Sequence, residues 1–175
     1  MLRAAHGEDG AKPLHGLSEE KPTDVWEVEA LFDLSFAPGR TALSSYRLRD
    51  GVPPVAPLCL VIRDEGGILG GAIRVWPVRV GDAHDALLLG PVAVHPTRQG
   101  EGVGAQLIRE VIARARAMGA SRLMLVGDAP YYGRFGFDRL DGVEMPPPTN
   151  PDRVLGCDLV PGGWEGVTGP VTRPV

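Results

Sequence analysis

The chain has 175 residues, 43% of them hydrophobic and 23% charged, which suits one domain with its own core and excludes a disordered chain. A formal net charge of -4 argues against a surface built for nucleic acid or anionic membrane, while leaving room for a local anion site. Cys59 and Cys157 stand far apart without a CxxC partner, so neither a zinc site nor a disulfide framework is indicated and both are expected as reduced core thiols. The opening residues lack the apolar core of a signal peptide and no stretch reaches membrane-span length, so a cytoplasmic protein with no membrane partner is expected.

Residues 1–22 mix Gly, Pro, His and charges without period and read as a flexible leader, in which His6 and His15 are solvated side chains rather than ligands. A single domain is expected over 23–165. Thr23 or Asp24 can cap a first helix, with Glu27 at the acid position of a capping box and Val28, Leu31 and Phe32 at helical spacing. "APGR" ends it. A weaker helical segment follows in "TALSSYRLRDG", with Gly51 as its stop. "LCLVIRD" (58–64) and "ILGGAIRVWPVRVG" (68–81) are β-rich and joined by a compact hairpin signal.

"ALLLGPVAV" (86–94) is almost continuously apolar, as a strand covered on both faces would be. Gly90 and Pro91 are awkward in a central strand and predict a bulge or local splay. Val103, Leu107, Ile108, Val111, Ile112 and Ala115 share one helical face, and Gly119 is a C-terminal stop. "SRLMLVG" (121–127) is a buried strand, so residues 86–127 form a strand, loop, helix, strand unit with two parallel neighbouring strands. "APYYGRF" reads as a short helix, "RVLGCDLVP" (153–161) as a last strand, and 166–175 as an irregular tail.

The glycines of "HPTRQGEGVG" (95–104) alternate just ahead of the amphipathic helix. A helix N-terminus exposes unpaired N–H groups and a positive dipole end, and glycines there let a large anion approach. "RQGEGVG" therefore reads as a phosphate cradle, against the plainer reading of a turn that needs positive φ. The P-loop pattern fails, since Val103-Gly104-Ala105 replaces Gly-Lys-Ser/Thr. Gly100, Gly102 and Ala105 match GxGxxA, with Asp128 ending the next strand, but "HPTRQ" separates the first glycine from its strand and few parallel strands follow.

Gln99, Gly102 and Gly104 match Arg/Gln-x-x-Gly-x-Gly/Ala between a strand and a helix, and the chain here resembles the GNAT-type N-acetyltransferases. "YYGRFGF" resembles the family's tyrosine-containing helix running into a Gly-Phe strand start. "LLLGPVAVHPTRQGEGVG" and "LVGDAPYYGRFGF" are similar to a bacterial branch of predicted acetyltransferases, over roughly residues 23–161 and most strongly over 86–137. The resemblance implies an α/β (α+β) fold: a mixed, mostly antiparallel sheet with a splayed central parallel strand pair, flanked by helices.

It also implies acetyl-CoA as co-substrate, no metal, and a cleft between strands 86–94 and 121–127. Backbone groups of Val92 and Val94 would pair with the pantetheine arm. N–H groups over Gln99, Gly100, Glu101, Gly102, Val103, Gly104 and Ala105 would hold the pyrophosphate, with Arg98 adding charge. Val94 N–H would serve as an oxyanion donor, and Tyr132 would protonate the departing thiolate, a role that a phenol with a reference pKa near 10 can fill at neutral pH. Tyr131 and Phe135 would be packing residues. A general base is not evident, since "ALLLGPVAV" carries no Glu; His84, Asp85, His95 and Asp128 are the candidates.

The implied activity is direct transfer of an acetyl group to an amine, without a covalent enzyme intermediate. Alternatives are a non-catalytic acyl-CoA-binding module, favoured by the missing base, and a dinucleotide oxidoreductase, favoured by GxGxxA and Asp128. The acceptor, a small amine or a protein amino group, is expected to contact "FAPGRTALSSYRLRDGVPP", which has neither an acid cluster nor an aromatic cage. Oligomeric state is open, a homodimer being the commonest assembly.

Overall fold

In the computed structural model, residues 16–36 and 44–175 are described; His6, His15, much of the expected leader and the "APGR" stop lie outside them. Among the described residues nine strands follow in chain order: β1 (Leu17–Glu19), β2 (Leu60–Arg63), β3 (Leu69–Val80), β4 (His84–Val94), β5 (Arg122–Val126), β6 (Asp138–Arg139), β7 (Val143–Glu144), β8 (Val154–Asp158) and β9 (Gly169–Thr172). Alongside them in the described residues run the helices α1 (Val25–Ser35), the single turn α2 (Ser44–Arg47), α3 (Val103–Ala117) and the short α4 (Ala129–Tyr132). The sheet order is β1-β2-β3-β4-β5-β8-β6, with β9 added beside β3 and β7 beside β9. Pairing is antiparallel except for β4–β5 and the two-residue β7–β9 contact.

Alternation along the strands divides the core. Val61, Ala72 and Ala93 pack with Val28, Leu31 and Phe32 of α1 on one face. Ile62, Ile73 and Leu89 point the other way and pack with Leu107, Ile108 and Val111 of α3. The expected helical stripe of α3 is thus its buried face; truncating Leu107 to Ala there would cost ~2–5 kcal/mol. Gly71 admits the helix: a β-carbon on it would stand 2.5 Å from Val103 Cγ1.

Three local expectations are corrected. Leu17–Glu19, inside the span expected to be a leader, is an edge strand on Leu60–Ile62, and Glu20 is drawn in by Arg74 at 2.7 Å, which also pairs with Glu29 of α1. Gly169–Thr172, inside the expected irregular tail, pairs with Arg79 and Val80, burying Val171. Glu27 completes no capping box; it pairs with Arg63 at 2.9 Å, and Asp24 instead accepts from the Lys21 N–H at 2.8 Å, because a 3-10 turn (Pro22–Asp24) precedes α1.

Candidate active site

The parallel pair β4–β5 is in register only at Leu87–Leu123 and Leu88–Met124. Beyond Leu88 the two strands part. On the other side of β4 the β3 register runs Ile73–Val92 and Val75–Leu89, so Gly90 and Pro91 oppose Arg74 alone. That is the expected bulge, with Gly90 at φ 123° and a cis peptide to Pro91. The His95 N–H donates to Gly70 on β3 at 2.8 Å, so alternation sends the N–H and C=O groups of Val92 and Val94 into the gap between β4 and β5. No β5 residue pairs with either.

Two adjoining cavities occupy this gap and share Phe36, Val92 and Tyr132. One runs along Val92, Val94, Gln99 and Gly104 toward the N-terminus of α3. The other, of about 280 Å³, lies between Gly90–Pro91, Gly127–Asp128, Arg49 and Arg153. Tyr132 stands where they meet.

The cradle glycines divide their work. Gly100 and Gly102 have φ of 83° and 81°, and a β-carbon on either would meet nothing within 4 Å. They supply left-handed backbone beneath open space. A β-carbon on Gly104 would lie 3.4 Å from both the Tyr131 hydroxyl and Val94 Cγ2, so its smallness serves packing. The first helical bond of α3 runs from the Gln106 N–H to the Gly102 carbonyl at 3.0 Å, leaving the N–H groups of Val103, Gly104 and Ala105 outside the helical ladder at its positive end. Gln99 folds back and donates through Nε2 to the Val94 carbonyl at 3.1 Å.

Arg98 and Glu101 border this cradle already committed to each other and to Asp64: Arg98 bonds Asp64 at 2.5 Å and Glu101 at 3.4 Å. Asp64 sits in the β2–β3 hairpin and accepts from the Ile68 N–H at 2.9 Å. That backbone bond, followed by Arg98, holds its carboxyl below the ordinary range.

Tyr132 ends α4, whose start is capped by Asp128 accepting from the Tyr131 N–H at 3.1 Å. Its ring meets Tyr131 edge-on at 4.9 Å and Phe137 at 6.0 Å. Burial pushes its phenol up to about 12, with Tyr131 and Asp128 acting in the same direction and Arg153 opposing. The hydroxyl therefore keeps its proton throughout the neutral range. Tyr131 and Phe135 pack against the core cluster, as expected.

Of the four candidate bases, only Asp128 lines the cavities that Tyr132 lines. His84 and Asp85 lie at the opposite end of β4, paired with Val80 and Arg79. His95 turns back on its own loop, its Nδ1 2.8 Å from Thr97 Oγ1. Asp128 caps a helix instead of following a dinucleotide loop. Neither cysteine lines these cavities; both thiols are buried and pushed up by that burial, so neither is poised as a nucleophile. The stretch 36–54 that the resemblance ties to the acceptor supplies Phe36, Ser45, Tyr46 and Arg49 to the cavity, though none of them was singled out, and Gly127 follows β5 in the quoted "LVGDAPYYGRFGF". Sequence reasoning missed Arg153, which comes from a separate segment with no motif of its own.

The strand pair thus parts over a glycine loop, with a protonated tyrosine where two cavities meet, and known proteins similar to this chain are acetyltransferases. A family model described as "Acetyltransferase (GNAT) domain" matches residues 56–139. The chain is 36% identical over 130 residues to the uncharacterized N-acetyltransferase YjhQ of Escherichia coli (strain K12), covering 73% of this chain and 70% of that one. It is 31% identical over 121 residues to YhbS of the same strain, covering 68% and 71%. Among solved structures, YhbS from E. coli in complex with CoA superposes with a TM-score of 0.78 at 28% identity, over 90% of this chain and 88% of that one. A GNAT family acetyltransferase from Brucella melitensis in complex with acetyl-CoA gives 0.70 at 28% identity, over 93% and 98%. The chain belongs to the GNAT acetyltransferase family, and it is an acyltransferase. No helix among the described residues is long and apolar enough to cross a membrane, and those residues hold no metal-ligating cluster.

Proposed function

We propose that this protein is an acetyl-CoA-dependent N-acyltransferase that moves the acetyl group directly to an amine in the β4–β5 cleft, with Tyr132 as proton donor. The observation that carries the reading is the junction of two cavities at Tyr132, one ending on the glycine cradle and the other open to a second substrate. Relatives crystallised with CoA or acetyl-CoA support the choice of co-substrate.

The residues present fit that group. The N–H and C=O groups of Val92 and the C=O of Val94 face the gap and would pair with an amide-bearing arm as another strand would, leaving the Val94 N–H for the thioester. The open space over Gly100 and Gly102 accepts phosphates, and the N–H groups of residues 99–105 at the positive end of α3 would hold them. Arg98 and Glu101 flank the cradle, and Arg98 would reach a phosphate by exchanging Asp64 for it.

Acetyl-CoA supplies an activated thioester. The Val94 N–H is directed into the cleft to donate to the thioester oxygen as negative charge develops there. The Tyr132 hydroxyl holds a proton for the departing thiolate sulfur; a phenol at about 12 is a weak acid but fully protonated, and the thiolate that receives the proton is the stronger local base as it forms. The amine must arrive neutral, and Asp128, reached directly or through water, is the group of this cleft that can take its proton. Buried, unreactive thiols agree with transfer in one step without an acyl-enzyme.

The test is acetyl-CoA turnover, read as thiol release over an amine panel, by wild type and Tyr132→Phe. Loss of turnover with acetyl-CoA affinity preserved supports the assignment; equal turnover removes Tyr132 from the mechanism.

A further inference from the structure

The surface on the two sides of the cradle carries opposite charge. On the hairpin side Arg98 meets two carboxylates, Asp64 and Glu101, so its charge is more than matched. On the α4 side two arginines meet no acid. Arg134, in the turn after α4, lies over the Tyr131 ring at 4.9 Å and the Phe135 ring at 5.2 Å. Arg109 of α3 lies over the same Phe135 ring at 5.2 Å. Both arginines are exposed, and among the described residues neither guanidinium forms a hydrogen bond or an ion pair. The nearby acids are committed elsewhere: Glu110 turns to Arg114 at 2.9 Å, and Asp128 accepts the Tyr131 N–H at 3.1 Å. Two guanidiniums against one ring stand within about a Debye length of each other and repel. Stacking engages their faces and leaves the donor edges free.

These rings adjoin the cradle. A β-carbon on Gly104 would stand 3.4 Å from the Tyr131 hydroxyl, and Tyr131 lines the same cavity as Gln99 and Gly104. Arg109 follows Gly104 along α3 by about 7.5 Å of helical rise. With the pantetheine arm in the β4–β5 gap and the pyrophosphate over Gly100 and Gly102, the adenosine end of CoA must leave across the outer surface, and charge favours the α4 side. We propose that Arg109 and Arg134 hold the ribose 3′-phosphate of CoA there, which makes the chain selective for CoA over its 3′-dephospho form. The inference rests on the acetyl-CoA reading above and adds the residues that recognise the outer end of the co-substrate. A phosphomonoester carries more than one negative charge at neutral pH and presents three acceptor oxygens, which suits two guanidinium forks and offsets their mutual repulsion.

The test is calorimetric titration of the full chain with CoA and with 3′-dephospho-CoA, at low and at high salt. CoA should bind about tenfold tighter or more at low salt, the effect of one charge-assisted hydrogen bond. The gap should narrow at high salt, because exposed charges are screened. Arg109→Gln and Arg134→Gln should each reduce the ratio of the two affinities severalfold, and the double substitution should bring it close to one while the affinity for 3′-dephospho-CoA stays level. That unchanged affinity also shows that the exposed substitutions leave the fold and the cradle intact. Equal binding of the two ligands by the wild type overturns the proposal. So does a preference for CoA that persists in the double variant, or a double variant that loses affinity for both ligands alike. Binding of neither ligand by the wild type would instead sink the acetyl-CoA reading itself, and this proposal with it.

Discussion

Gly127 and the ring of Tyr132 are in direct contact: a β-carbon on Gly127 would stand 2.5 Å from Tyr132 Cε2 and 2.9 Å from Cδ2. The strand end that follows β5 therefore seats the tyrosine at the cavity junction, and the glycine is there because any side chain would displace the ring. Gly127→Ala is expected to lower kcat with acetyl-CoA affinity nearly unchanged, reproducing Tyr132→Phe. The loss in each should be about 100-fold, at the lower end of what a positioned acid contributes. Steady-state kinetics beside direct binding measurements check both; an alanine variant with full turnover would mean that the ring position does not matter.

The raised phenol has a consequence for stability. Tyr132 ionises at about 12 in the folded protein and near 10 in the unfolded chain. Between those values the folded state keeps a proton that the unfolded state has lost, so the contribution is intact below pH 10 and disappears as pH rises through 12. From pH 9 to pH 11.5 the wild type should lose about 2 kcal/mol from this group. Tyr132→Phe should lack that share of the alkaline loss. Urea unfolding of both proteins at the two pH values measures the difference.

At Gly102 the backbone at φ 81° already disfavours a side chain, and the space above it is the room claimed for phosphates. Gly102→Val should cost about 1–2 kcal/mol of stability through backbone strain. It should also weaken CoA binding well beyond tenfold by filling the cradle, a loss of more than about 1.4 kcal/mol. Calorimetric titration of the variant with CoA separates the two effects. Unaltered affinity would mean that the glycine serves the turn alone.

Asp64 competes with any anion for Arg98, which it binds at 2.5 Å. Asp64→Asn keeps an acceptor for the Ile68 N–H while removing the charge. If Arg98 acts on the pyrophosphate, affinity for CoA should rise a few-fold and become more sensitive to salt. An affinity that stays level or falls would leave Arg98 a purely structural tie between the β2–β3 hairpin and the cradle loop.

Much of this was legible in sequence because the signals are local. The stripe of α3, the alternating glycines and the Gly90-Pro91 irregularity each act within a few residues, and they predict the helix, a glycine loop ahead of it and the bulge at the positions observed. The β1 edge strand was not legible: three residues carry no periodicity, and its reason lies across the chain in Arg74 and Cys59, whose carbonyl accepts the Glu20 N–H at 2.8 Å. The same holds for β9, placed by pairing with Arg79 and Val80. Around the second cavity, the stretch 36–54 named in advance does line the wall, through Phe36, Ser45, Tyr46 and Arg49. Arg153 was not legible, because no spacing rule connects residues about a hundred positions apart.

If the parted β4–β5 pair and the α3 cradle form one acetyl-CoA site, calorimetric titration of the purified protein should give saturable one-to-one binding of acetyl-CoA and none of NADH titrated in parallel. Absence of acetyl-CoA binding, or binding of NADH in its place, would contradict it.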